Sequence, residues 1–86
     1  MKISVELTLT PLQNDFEPPI ISFITKLRNS GLTVIENPLS TQVYGDYDKV
    51  MLLLTTEIKN AFELIDNGLL YMKIVKSDRS DYEPHF

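Results

Sequence analysis

The stretch Lys2-Ile3-Ser4-Val5-Glu6-Leu7-Thr8-Leu9-Thr10 alternates without interruption. Ile3, Val5, Leu7 and Leu9 fall on one side of an extended chain, and Lys2, Ser4, Glu6, Thr8 and Thr10 on the other, the period-two pattern of a strand with one buried face. Pro11 ends the run. A strand this regular needs a layer over its apolar side, so the segments that follow decide the fold class.

Working outward, Pro18-Pro19 restarts the chain as a helix, with Pro18 read as N-cap and Pro19 as the first helical residue. Ile20, Ile24 and Leu27 recur at helical spacing, Ile21 and Phe23 widen the stripe, and Gly31 after Asn29-Ser30 is a left-handed stop. Leu32 to Glu36 is a short β-branched run. Asn37-Pro38 breaks it, and Thr41 to Tyr44 forms a second strand that closes at a turn on Gly45-Asp46. Asp46 or Asp48 then caps a long helix carrying Val50, Leu54, Ile58, Ala61, Phe62 and Ile65, which Asn67-Gly68 stops. The last strand is Leu69 to Val75, with Leu70, Met72 and Ile74 on one side and Tyr71 and Lys73 on the other. From Lys76 the tail is polar and expected to fray.

The element order is β-α-β-β-α-β, two β-α-β halves in succession. It predicts an α+β, ferredoxin-like domain over residues 1–86: a four-stranded antiparallel sheet with both helices on one face. The other face is left uncovered, with Ser4, Glu6 and Thr8 at its centre. An 86-residue chain without cysteine has no disulfide to supplement a small core, so self-association through the open face is expected, as a tetramer built from two dimers.

Composition narrows the functions. Eight Lys and Arg against 12 Asp and Glu give a net charge of −4 with no basic cluster, which argues against nucleic acid. The first strand shows no stacking aromatics of the kind an RNA-reading sheet carries. A glutamate already stands at position 6, so no secretory apolar block is read there, no span is long enough for a membrane, and a cytoplasmic location is expected. The absence of cysteine excludes thiolate metal sites and cysteine nucleophiles. The segment Pro11 to Phe16 lacks the arginine and glycine-rich turn of an acylphosphatase. His85 lies in the tail away from any positioned acid, Ser40 has neither a glycine elbow nor a histidine partner, and Asp46 and Asp48 read as helix caps without a third ligand. No enzyme, cofactor or metal is expected.

What remains is Asn37-Pro38-Leu39-Ser40-Thr41-Gln42-Val43-Tyr44-Gly45-Asp46. It is read either as a hairpin connection whose polar groups serve only the turn, or as short donors and acceptors grouped beside the open sheet to orient a small heterocycle. Together with the opening Lys2 to Leu7 and the element spacing, this segment resembles the small thiamine-binding protein family, over residues 2 to about 76. The resemblance implies a ferredoxin-like fold, dimers that pair sheet to sheet into tetramers, and binding of thiamine or its hydroxymethylpyrimidine part at subunit contacts without turnover. The C-terminal helical extension usual in the family is expected to be missing or reduced.

Against such a ligand, Glu6 supplies an acid, Ser40 and Thr41 hydroxyls for the pyrimidine, Asn37 an amide in the same loop, and Tyr44 and Tyr71 rings for stacking. Each has a plainer alternative. Glu6 can pair with Lys2 or Lys73, the tyrosines can pack at an interface, and Ser40 and Thr41 can cap the turn. The rival functional reading is an oligomeric interaction or regulatory module without a heterocyclic ligand.

Overall fold

A computed structural model describes all 86 residues. The elements are β1 (Lys2–Pro11), α1 (Glu17–Arg28), β2 (Thr33–Glu36), β3 (Thr41–Asp46), α2 (Tyr47–Glu63) and β4 (Gly68–Val75). The strands form one antiparallel sheet in the order β2-β3-β1-β4, so the α+β ferredoxin-like plan read from the sequence is the observed one.

β1 runs through the middle because its alternation is the strongest. Ile3, Val5, Leu7 and Leu9 are all buried, together with Phe23 and Leu27 of α1, Val43 of β3, and Val50, Leu54 and Ala61 of α2. The core is therefore a single layer between β1–β3 and the two helices. No helix is long and apolar enough to cross a membrane.

Several local expectations are corrected. Phe16 occupies the N-cap of α1, so Pro18 and Pro19 lie inside its first turn, where backbone N–H groups have no intrahelical partner for a proline to remove. β3 runs straight into α2 without a turn: Gly45 is a strand residue paired with Ile3. Asp46 holds the N-cap position of α2 but makes no cap hydrogen bond. Its carboxylate instead faces the Met1 ammonium at 3.3 Å, because β1 and β3 end side by side. α2 stops at Glu63, well short of Gly68, and Phe62 is exposed. The intervening residues bring the Asn67 carbonyl to the Leu12 N–H at 2.9 Å, which the continued helix would prevent.

The tail does not simply fray. Ser4 Oγ donates to the Ser77 carbonyl at 2.6 Å and accepts from the Arg79 N–H at 2.9 Å, so the chain after β4 folds back across the end of β1. Asp78 holds the Ser80 N–H and hydroxyl at 2.9 and 2.6 Å, and Tyr82 N–H reaches the Arg79 carbonyl at 3.2 Å. These bonds make residues 77–82 a strap over one end of the open face, and Ser4 beneath it is buried.

Candidate functional site

Register places the side chains of the open face in rows. One row runs Ile35, Gln42, Glu6, Lys73 across the four strands; the next runs Thr33, Tyr44, Ser4, Val75; and Thr8 faces Tyr71 on the other side of the Glu6 row. Glu6 thus sits at the centre of the sheet with an amide on one side and an amine on the other.

The loop between β2 and β3 delivers polar groups to this carboxylate. Asn37 Oδ1 accepts from the N–H groups of Leu39 and Ser40 at 3.2 and 3.0 Å, an Asx turn that fixes the loop. The loop in turn carries Ser40, whose hydroxyl donates to Glu6 Oε2 at 2.9 Å and accepts from Gln42 Nε2 at 2.8 Å. Asn37 Nδ2 closes the chain on Gln42 Oε1 at 3.3 Å. The result is a continuous Asn37–Gln42–Ser40–Glu6 network that leaves one Glu6 oxygen without a side-chain donor.

Beside this network lies a shallow cleft of about 390 Å³, lined by Ser4, Glu6, Gln42, Tyr44, Lys73 and Arg79 among others. Tyr44 is half-buried in it. Burial, then the nearby charges of Asp78 and Glu6, push its phenol pKa up, so near neutrality the hydroxyl is a protonated donor. Lys73 and Arg79 form no ion pair with a carboxylate. Arg79 Nε instead donates to Ser77 Oγ at 2.8 Å, which places the guanidinium through the strap.

Of the residues singled out in the sequence, Glu6, Ser40, Asn37 and Tyr44 are therefore brought together. Tyr71 shares the open face one row away and is 53% exposed. Thr41 stands apart. It is paired with Leu7 on the helix-facing side and 5% exposed, and with Asn37 and Ser40 it borders a second cleft of about 180 Å³ between α1 and the 37–41 loop. A strand turns alternate residues to opposite faces, so Ser40 and Thr41 cannot both reach Glu6.

Gln42 and Arg79 were not singled out as site residues, and Lys73 only as an ion-pair partner for Glu6, a pair the structure does not form. The signal for Gln42 was present, since it lies two positions from Tyr44 on the same strand. Arg79 had none, because the strap exists only through its bonds to Ser4.

No protein-family model and no curated protein matches this chain. Solved structures do. The Thermotoga maritima protein TM0486, provisionally named for thiamine biosynthesis or salvage, superposes with a TM-score of 0.81 at 19% identity, covering 90% of this chain and 85% of its own. Protein SP2199 of Streptococcus pneumoniae gives 0.84 at 28% identity over 91% and 89%. A domain of unknown function, DUF77, from Bacillus cereus gives 0.76 at 12% identity over 91% and 78%. The fold of this chain is thus one that natural proteins share at low identity, with one of these neighbours carrying a thiamine-related name.

Proposed function

We propose that this protein binds a hydroxymethylpyrimidine-type compound, free or as part of thiamine, without transforming it, in the Glu6 cleft at a contact between copies of the chain. The observation that carries the reading is the Asn37–Gln42–Ser40–Glu6 network. An aminopyrimidine presents a donor amine beside acceptor ring nitrogens. The free carboxylate oxygen of Glu6 takes the amine, while the second amide hydrogen of Gln42 or the Tyr44 hydroxyl serves a ring nitrogen. The thiamine-related name of the Thermotoga neighbour supports the same ligand class.

The cleft also orders the two candidates. Lys73 and Arg79 line it with Glu6, so two cations face one anion. A neutral pyrimidine alcohol fits that balance better than thiamine, whose fixed positive charge gains from Glu6 what it loses to the bases. Because the cleft is shallow, a second copy laid sheet to sheet supplies the missing wall, and that pairing is one of the two contacts that a tetramer built from two dimers needs.

Titration calorimetry with hydroxymethylpyrimidine and with thiamine tests the reading. Glu6→Gln keeps the shape and removes the charge, and is expected to weaken binding of the pyrimidine by about 1–3 kcal/mol. No heat or thermal shift with either compound at about millimolar concentration leaves the interaction-module reading in its place.

A further inference from the structure

We propose that Lys73 and Arg79 form a phosphate subsite in the open-face cleft, so that the ligand held at Glu6 is a phosphate ester and not the free alcohol. The subsite itself stands on these two side chains. What lies beyond the phosphate rests on the reading of Glu6 given above.

The whole chain carries a net charge of −4, yet this cleft is locally positive, with Glu6 as its one acid against Lys73 and Arg79. Neither cation has a carboxylate within ion-pairing distance, although Lys73 is the strand partner of Glu6. Glu6 turns one oxygen to the Ser40 hydroxyl instead. Asp78, next to Arg79 in the strap, does not neutralise it either. Hydrogen bonds from the hydroxyl and N–H of Ser80, and then the charge of Lys2, hold the Asp78 carboxyl below its usual range.

Arg79 is not a loose surface cation. Its backbone N–H is bonded to Ser4 Oγ at 2.9 Å and its Nε to Ser77 Oγ at 2.8 Å, while its two terminal nitrogens have no protein acceptor. Those nitrogens are the parallel donors that grip two oxygens of one phosphate. Ser4, to which the Arg79 backbone is tied, lies two residues from Glu6 on β1, about 7 Å along the strand. Lys73 stands across from Glu6 on β4. A ring whose amine meets Glu6 therefore has Arg79 one row along and Lys73 at its flank.

This donor set suits a phosphate better than a carboxylate. A phosphate monoester has three terminal oxygens and carries more than one negative charge near neutrality. The guanidinium takes two of the oxygens and the ammonium the third. The protonated Tyr44 hydroxyl is a further donor lining the same cleft. A carboxylate, with two oxygens and one charge, would leave one of the cations unused.

Calorimetry on the wild-type chain compares four probes: hydroxymethylpyrimidine, its phosphate ester, inorganic phosphate and pyrophosphate. The ester is expected to bind at least about tenfold tighter than the alcohol. The advantage should shrink as salt is raised from about 50 to 500 mM, because exposed charges are screened. Lys73→Gln and Arg79→Gln together should bring the ester-to-alcohol ratio to about one. Lys59→Gln, an equal change of charge on α2 at the helix side of the sheet, should leave the ratio as it was. Inorganic phosphate alone should slow amide exchange at residues 79–82, because it ties the strap to β4 through Lys73.

An ester that binds no tighter than the alcohol overturns the subsite and leaves the pyrimidine reading standing. A preference that survives in the folded double variant overturns the subsite too. Phosphate or pyrophosphate binding that is lost in the double variant, with the alcohol inert and the ester no tighter than phosphate, supports the subsite and overturns the pyrimidine reading. No binding of any of the four at about millimolar concentration overturns both. If the double variant fails to fold, the salt series decides, and a wild-type ratio unmoved by salt overturns the subsite.

Discussion

Gly68→Ala is expected to destabilise the protein although Gly68 has no unusual backbone conformation. A Cβ there would stand 2.7 Å from Ile65 Cδ1, 2.9 Å from the Thr10 carbonyl oxygen and 3.2 Å from Pro11 Cα. Ile65 can swing away. Thr10 and Pro11 cannot, because they are backbone of the central strand, paired with Leu69 and Gly68 themselves. The methyl therefore pries apart the end of the β1–β4 ladder, an overpacking cost of about 1–3 kcal/mol. Restricting the unfolded chain offsets about 0.4–1 kcal/mol of this. A net loss of about 1–2 kcal/mol lowers Tm by roughly 4–16 °C in a domain of this size.

Thermal and urea denaturation measure the loss, and amide exchange locates it. The Leu12 N–H, bonded to the Asn67 carbonyl, should lose protection before the middle of β1 does. Gly31→Ala is the control. No atom lies within 4 Å of its added Cβ, but its φ is +85°, so its cost is conformational and Gly31→Asn should recover part of it. Gly68→Asn should not recover. An unchanged Tm in Gly68→Ala, or recovery by asparagine at 68, would refute the close-approach argument.

Asp46→Ala should cost no more than about 1 kcal/mol and less in high salt, because the carboxylate makes an exposed pair with the N-terminus rather than a helix cap. Ser4→Ala removes both bonds that hold the strap, so amides 79–82 should exchange faster while global stability falls by at most about 1–3 kcal/mol. The Arg28 guanidinium, hydrogen-bonded to the Glu36 carboxylate, lowers its pKa, so the pair's stabilisation is present above the ordinary carboxylate range and is lost as pH falls through the lowered value. In Arg28→Gln the Glu36 midpoint, followed by NMR, should return upward, with little effect on stability because both groups are exposed. Glu6→Gln should weaken thiamine more than the neutral pyrimidine alcohol if Glu6 acts through its charge, and equal losses in calorimetry would leave it only a hydrogen-bonding role.

Much of this molecule is legible in the chain because its rules are local. Strict alternation in Lys2 to Thr10 is enough to make β1 a half-buried strand. Helical spacing picks out Leu27, Val50, Leu54 and Ala61, with Phe23 widening the stripe, but it also takes in Ile21 and Phe62, which are exposed. The same parity that buries Ile3, Val5, Leu7 and Leu9 turns Glu6 outward, so the central acid of the site is a property of the sequence. Element ends were less legible, since Asp46 and Gly45 carry cap and turn chemistry in isolation but take their roles from β1 alongside them.

Tertiary structure alone decided which of the loop's hydroxyls meets Glu6. Ser40 and Thr41 are adjacent and chemically alike, but Thr41 is paired with Leu7 and turned towards the helices, while the Asn37 turn holds Ser40 in the loop before β3, where it meets Glu6. It alone brought Gln42, Lys73 and Arg79 to one cleft from β3, β4 and the tail, and folded residues 77–82 over Ser4. Periodicity reports which side of an element a residue takes. Which distant residue stands beside it depends on strand pairing across the whole chain, where the energy that chooses between registers comes from the buried core and not from the polar groups that the register brings together.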